Sequence, residues 1–246
     1  MSSFEVQRAQ MVAQQLAARG ISTPRVQQAF LDVPRERFVS ESSAEFAYED
    51  SALGIEYGQT ISQPYIVAVM VEALQLHGDE RVLDVGTGSG YAAAVLSRLA
   101  AQVYSIERIP ELALMAGARL KELGYDNVHV MSGDGTLGWP EHAPYDAIAV
   151  AASGPKAPAA LLAQLAIGGR LVMPIGADDS TQELVCIRRV DDQQYEQQSL
   201  VDVRFVPLIG EQGWTPHAPR VVRARRVSAR PAVPPGESPD ACPHEP

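Results

Sequence analysis

The sequence predicts an α/β fold: a doubly wound, mainly parallel sheet with N-terminal helices before it and antiparallel C-terminal strands after it. Three observations predict this. From Arg81 onward, short apolar runs alternate with helical segments, the exchange that lays parallel strands beneath covering helices. The first of these runs, Arg81-Val82-Leu83-Asp84-Val85, enters the turn Gly86-Thr87-Gly88-Ser89-Gly90, and a helical stretch follows directly. Beyond Pro174, segments 182–190 and 198–206 alternate instead like antiparallel strands.

Each element has a local reason. Phe4, Met11, Val12 and Leu16 recur at helical spacing, and Gly20 stops the run. Thr23-Pro24 opens a second helix, with Thr as cap and Pro in the first turn, and Val26, Phe30 and Leu31 face the core. Residues 34–62 read as irregular, punctuated by Gly54 and Gly58, before a third helix from about Gln63 to Leu76. Then come strand 81–86, helix 90–100, strand 101–106, helix 110–123, strand 127–132 and a Gly133-Asp134-Gly135 turn. Strand 145–151 and helix 157–166 follow, and a Gly168-Gly169 turn leads into strand 170–174. In such a sheet ligands bind beyond the carboxyl ends of the strands, where Gly86, Glu107 and Asp134 fall.

Composition narrows the function classes. Twenty basic against thirty acidic residues give a net charge of −10, which disfavours a general grip on nucleic acid or on an anionic membrane. No apolar run approaches the ~18 residues of a membrane span, and the N-terminus lacks an apolar signal core. Two cysteines, Cys186 and Cys242, form no ligand cluster, and none of the five histidines has metal-ligand spacing; a reduced cytoplasmic compartment and no metal are expected. A monomer is the default expectation. Five arginines between Arg220 and Arg230 precede a Pro-, Ser- and acid-rich end that cannot offset its ordering entropy, so disorder is expected from about residue 228.

The glycine spacing points to the cofactor. Dinucleotide sites read G-x-G-x-x-G, with a helix N-terminus facing a pyrophosphate, whereas this chain reads G-x-G-x-G, the form associated with methyltransferases. S-adenosylmethionine carries no phosphate, so the helix N-terminus would face its methionine carboxylate. Glu107 stands about 20 residues on, at the end of the second strand, where a carboxylate takes ribose hydroxyls. The sheet is therefore expected to be of the S-adenosylmethionine-dependent methyltransferase, Rossmann-like type.

Further blocks resemble one family, protein-L-isoaspartate (D-aspartate) O-methyltransferase, over roughly residues 5–214. Val33-Pro34-Arg35-Glu36-Arg37-Phe38-Val39 is similar to its N-terminal signature, and Tyr57-Gly58-Gln59-Thr60-Ile61-Ser62-Gln63-Pro64-Tyr65 to its most distinctive block. Gly133-Asp134-Gly135, Gly168-Gly169-Arg170-Leu171-Val172 and Val203-Arg204-Phe205-Val206-Pro207-Leu208 continue the series. Gly54, Glu56 and the Ser153–Lys156 loop depart from the family pattern beside the expected peptide cleft. The resemblance divides the chain into an N-terminal helical and substrate-cleft segment (1–78), a cofactor-binding core with C-terminal strands (79–214) and a tail (215–246).

The resemblance implies methyl transfer to the free α-carboxylate of isoaspartyl residues in damaged proteins, from which a succinimide then forms without enzyme. An acid of pKa about 4 is already ionised at neutral pH, so no base is required. The implied catalytic residue is Ser62, its hydroxyl holding one carboxylate oxygen, with Thr60, Ile61 and Gln63 beside it at the substrate. Locally, Thr60-Ile61-Ser62-Gln63 also fits S/T-x-x-Q, so either hydroxyl could instead cap the following helix. Gly86, Thr87, Gly88 and Gly90 form the cofactor loop, with Gly90 open to a helix-packing role. Asp84 either lies near the cofactor's methionine portion or orders the glycine loop. Asp134, between Gly133 and Gly135, either accepts the adenine amino hydrogen or is a turn residue, and Asp146 reads as structural. Three other readings are a methyltransferase for another acceptor, such as a small carboxylate or RNA, a silent cofactor- or peptide-binding relative, and an NAD-dependent oxidoreductase. The serine block, the complete glycine loop and the glycine spacing disfavour them in turn.

Overall fold

A computed structural model describes residues 3–176 and 181–215. Helix α1 (Ser3–Gln10) continues as a π-helical turn, Met11–Leu16, and a short 3-10 turn that Gly20 closes in the left-handed conformation. Helix α2 (Pro24–Asp32) leads into 3-10 turns and a small hairpin, β1 (Leu53–Gly54) against β2 (Thr60–Ile61). Helix α3 spans Pro64–Leu74.

The main sheet follows. Its strands are β3 (Arg81–Val85), β4 (Gln102–Glu107), β5 (Val128–Ser132), β6 (Tyr145–Val150), β7 (Leu165–Ile175), β8 (Gln182–Arg189) and β9 (Tyr195–Val203). Between them lie α4 (Tyr91–Ser97), α5 (Pro110–Glu122) and α6 (Ala159–Gln164). The spatial order is β5-β4-β3-β6-β7-β8-β9, parallel up to β7, with β8 and β9 antiparallel. The chain moves outward from β3 through β4 to β5, then returns to the other side of β3 as β6. That reversal of strand order opens a crevice at the carboxyl ends of β3 and β6.

Strand periodicity divides the core in two. Val82, Val103, Ala147 and Val172 pack on the face that carries α3, α4 and the N-terminal helices. Leu83, Tyr104, Ile148 and Leu171 point to the other face, toward Leu161 of α6. Segment 1–78 therefore shares a core with the sheet: Met11, Leu16 and Phe30 are buried together with Val95 and Leu96. Phe38 packs edge-on to Tyr91 at 5.6 Å and near Tyr125 at 6.2 Å, so truncating it to Ala removes about 3–5 kcal/mol. Arg35 is wholly buried; its Nε donates to Ala47 O at 2.7 Å and its guanidinium lies over the Tyr91 ring. The Val33–Val39 block is thereby tied to the start of α4.

Two local expectations are corrected. Thr23 occupies the cap position of α2, but its hydroxyl oxygen accepts no backbone N–H of the first turn; the side chain is instead held toward α3, where the hydroxyl donates to Glu72 Oε1 at 2.9 Å and the Thr23 N–H to the same oxygen at 3.0 Å. Strand β7 begins at Leu165 rather than at 170, and Gly168-Gly169 forms an irregularity inside it, where the register against β6 shifts. Gly169 is needed there because a Cβ would lie 2.8 Å from Asp146 O. The expected disorder beyond about 228, and almost all of the 215–246 tail, lie outside the described residues.

Candidate active site

The crevice holds a cavity of about 470 Å³. Three sequence-distant stretches wall it: Gln59–Gln63 before α3, Val85–Ser89 after β3, and Asp202–Ile209 after β9. Glu107 and Arg108 at the end of β4, Gly135, and Ala151-Ala152 at the end of β6 complete it.

The glycine loop forms one floor. Gly86 (φ +98°) and Gly88 (φ +53°) both adopt left-handed backbone, which a side chain would strain, and both line the cavity. Thr87 lines it too, while its buried hydroxyl turns away to meet Ser105 Oγ at 2.6 Å. Gly90 does not reach the cavity: it stands at the N-terminus of α4, and a Cβ there would sit 3.2 Å from Leu120 of α5, which makes it the packing glycine. Arg119 of α5 steadies the loop by donating to Ser89 O at 2.7 Å.

Glu107 is buried against this loop. Its Oε2 accepts the Gly88 N–H at 2.9 Å and its Oε1 the Ile109 N–H at 3.0 Å. A carboxylate has about four acceptor positions, so two remain for hydroxyls arriving in the cavity. Asp84 is buried one layer lower. Its Oδ2 accepts from Ser105 Oγ at 2.6 Å, whereas its Oδ1 has no partner among the described residues. Burial pushes its carboxyl up to about 6; the Ser105 hydrogen bond opposes this and the nearby Glu107 charge adds to it. Asp84 is thus linked to the glycine loop through the hydroxyls of Ser105 and Thr87, and no backbone N–H among the described residues donates to it.

Asp134 goes to the turn. Its Oδ1 accepts from Thr136 N at 2.9 Å and Thr136 Oγ1 at 2.7 Å, and its Oδ2 from Glu211 N at 2.7 Å. The carboxylate is directed at protein donors, not at the cavity, and neither it nor Gly133 lines the wall. Gly135 does line it, and a Cβ there would lie 2.5 Å from Val85 Cγ1. Asp146 is structural as expected, with its Oδ2 accepting the Arg81 N–H at 2.8 Å.

Ser62 faces the cavity from the opposite wall, and its hydroxyl makes no hydrogen bond to another described residue. The cap position of α3 belongs to Gln63, which forms no side-chain cap; its Nε2 donates instead to Asp50 O at 2.9 Å. Neither Thr60 nor Ser62 caps the helix. Thr60 is an exposed strand residue at the cavity, and Ile61 buries its side chain in the core opposite Leu53.

The cavity fits S-adenosylmethionine by its own chemistry. Two glycines keep side chains off its floor, a carboxylate with spare acceptor capacity stands at its edge, and a buried unpartnered carboxylate oxygen lies beneath the loop. Sequence reasoning missed Arg108, Asp202, Arg204, Val206 and Leu208 as lining residues. For the last three the only signal is the block 203–208, because nothing local shows that the stretch after β9 folds back beside Ser153 beyond the end of β6.

Comparison with known proteins agrees with this geometry. Residues 7–213 match the family model of protein-L-isoaspartate(D-aspartate) O-methyltransferase. The chain is 58% identical over 231 residues to protein-L-isoaspartate O-methyltransferase 1 of Rhodopseudomonas palustris, covering 93% of this chain and 94% of that one. It is 61% identical over 204 residues to protein-L-isoaspartate O-methyltransferase 2 of Marinobacter nauticus, covering 83% and 93%. A solved protein-L-isoaspartate O-methyltransferase superposes with a TM-score of 0.77 at 31% identity, covering 84% of this chain and 67% of that one. A Plasmodium falciparum structure described as such an enzyme in complex with S-adenosyl-L-homocysteine superposes with a TM-score of 0.71 at 26% identity, covering 85% and 99%.

Proposed function

The chain belongs to the protein-L-isoaspartate(D-aspartate) O-methyltransferase family, and from that premise we propose that Ser62 orients the substrate carboxylate for methyl transfer. The enzyme transfers a methyl group from S-adenosylmethionine to the free carboxylate of L-isoaspartyl residues in proteins. D-Aspartyl residues are a second acceptor in this reading. The bound cofactor supplies an electrophilic methyl on a sulfonium: a carboxylate oxygen forms the C–O bond as the C–S bond breaks, leaving S-adenosylhomocysteine and a neutral ester.

No proton moves in that exchange, so the protein's part is placement. One observation carries the assignment: Ser62 lines the cavity whose floor is the glycine loop, and its hydroxyl has no hydrogen-bond partner among the described residues. That hydroxyl donates to one carboxylate oxygen and leaves the second aimed at the methyl carbon. Thr60, the Ile61 backbone and Gln63 shape the same wall, and Gln63 fixes it to Asp50. Apolar side chains of Val85, Ala151, Val206 and Leu208 keep water away from the two charges that vanish together. On the cofactor side Gly86, Thr87 and Gly88 contact the ligand, and Glu107 takes the ribose hydroxyls. Asp84 acts from beneath the loop, while Gly90, Gly133 and Asp134 shape the framework.

This reading has the chain working as a cytoplasmic monomer on proteins rather than on nucleic acid or membrane. The net charge of −10 and the buried free thiol of Cys186 support it, and no helix among the described residues is long and apolar enough to cross a membrane. The test is Ser62→Ala with paired isoaspartyl and aspartyl peptides. Turnover of the isoaspartyl peptide should fall at least about 100-fold, as for other preorganised donors, while calorimetric affinity for S-adenosylhomocysteine stays within twofold. Full activity in the variant would remove Ser62 from the mechanism.

A further inference from the structure

We propose that Ser105 is a positioning residue for the cofactor: its hydroxyl ties the glycine loop, through Thr87, to the buried carboxylate of Asp84. The inference rests on S-adenosylmethionine being the ligand of the cavity. Ser105 lies in the middle of β4, in register with Asp84 of β3, between Tyr104 and Ile106, a stretch otherwise built for burial. A serine there, wholly buried, has only its hydroxyl to justify it. That hydroxyl lies 2.6 Å from Asp84 Oδ2 on one side and 2.6 Å from Thr87 Oγ1 on the other. Thr87 is itself buried, and its neighbours Gly86 and Gly88 form the cavity floor.

Proton counting gives the chain a direction. Ser105 has one proton and donates it to Asp84, so Thr87 must donate to Ser105. With the carboxylate ionised, both hydroxyl protons have acceptors and Thr87 is fixed in one rotamer. A proton on Asp84 Oδ2 would make Asp84 the donor, turn Ser105 toward Thr87, and leave the Thr87 hydrogen without a place in the chain, whereas a proton on Oδ1 would leave the chain intact and weaken only the charge assistance of the Ser105 bond. The hydrogen-bond chain thereby couples the loop to a carboxylate that does not line the cavity. The groups facing Asp84 are few. Ser105 and Glu107 face it from β4, and Ala149 stands opposite it on β6. Ser105 is thus the one neighbour among these that favours the ionised form.

A ligand whose ammonium lies above the loop favours that form as well, since that positive charge, present in S-adenosylmethionine and S-adenosylhomocysteine alike, compensates the buried negative one. Occupancy then releases a proton near pH 6, and affinity falls as the pH drops through that value. Removing the Ser105 hydroxyl deprives the carboxylate of its donor, so the fall should begin at higher pH.

Calorimetric titration with S-adenosylhomocysteine between pH 5.5 and 8.5 tests this on the wild-type chain and on Ser105→Ala, Ser105→Thr and Thr87→Val. Ser105→Ala should bind about tenfold more weakly at pH 7.5, the loss of one charge-assisted hydrogen bond, with its pH midpoint raised. Ser105→Thr, which keeps the hydroxyl, should recover the wild-type midpoint. Thr87→Val should lose affinity at an unchanged midpoint, because the Ser105–Asp84 bond survives. Ser105→Ala with wild-type affinity and midpoint overturns the proposal, as does a loss that Ser105→Thr shares in full. If Ser105→Ala does not fold, wild-type affinity in Thr87→Val overturns it. A wild-type chain that fails to bind S-adenosylhomocysteine refutes the cofactor reading itself, and this proposal with it.

Discussion

Replacing Asp84 by Asn should change how the ligand-free protein's stability depends on pH. Burial holds this carboxyl at about 6 against an ordinary 3.8. Between those values the folded chain binds a proton that the unfolded chain has released, so stability falls as pH rises through the window. The difference corresponds to roughly 3 kcal/mol, fully expressed above about pH 7 and absent below about pH 4. Asn carries no charge and removes the dependence. Its oxygen can still accept from Ser105, but its amide nitrogen takes the buried, unpartnered Oδ1 position at a cost of about 1–3 kcal/mol. The absolute gain at pH 7.5 is therefore small, and the informative quantity is the slope. Urea unfolding from pH 4 to 8 should show the Asn variant becoming about 3 kcal/mol more stable relative to wild type across that range. Parallel curves for the two proteins would show that Asp84 is not strained in the folded chain, and the account of its burial would be wrong. Affinity for S-adenosylhomocysteine should fall in the same variant, so a stabilised chain would be the poorer binder.

Other substitutions separate binding from framework. Glu107→Ala should weaken S-adenosylhomocysteine binding about tenfold or more and also destabilise, because the Gly88 and Ile109 N–H groups lose their acceptor; unchanged affinity by calorimetry would reject the ribose role. Asp134→Ala releases three hydrogen bonds and should cost about 2–3 kcal/mol in urea unfolding; weaker ligand binding with unaltered stability would favour the adenine role instead. Gly135→Ala should cost about 1–3 kcal/mol by pressing on Val85, and Val85→Ala in the same chain should return part of it; an additive double variant would show that the two do not touch.

Much of this molecule is legible from short stretches of sequence. The alternation from Arg81 locates every parallel strand to within a few residues, except for the early start of β7, because strands buried on both faces are apolar runs bounded by turns. The glycine loop is equally legible, since a chain that must pass through left-handed backbone at 86, 88 and 90 has little choice of residue. What stays hidden depends on partners distant in sequence. Nothing near Thr23 announces that Glu72 will take its hydroxyl, and nothing near Asp134 announces Glu211. Ser105 is invisible for the same reason: a lone serine in an apolar strand acquires meaning only once β3 is laid beside β4. The family block around Ser62 exposes a residue whose local pattern alone is that of a helix cap.

Because the cavity walls come from stretches as far apart as Gln59–Gln63 and Asp202–Ile209, no nascent portion that ends before about residue 209 owns a complete site. The cavity closes only when synthesis has passed the last strand, and a product truncated before about residue 202 would lack a wall. A repair enzyme assembled this way cannot act while it is still being made.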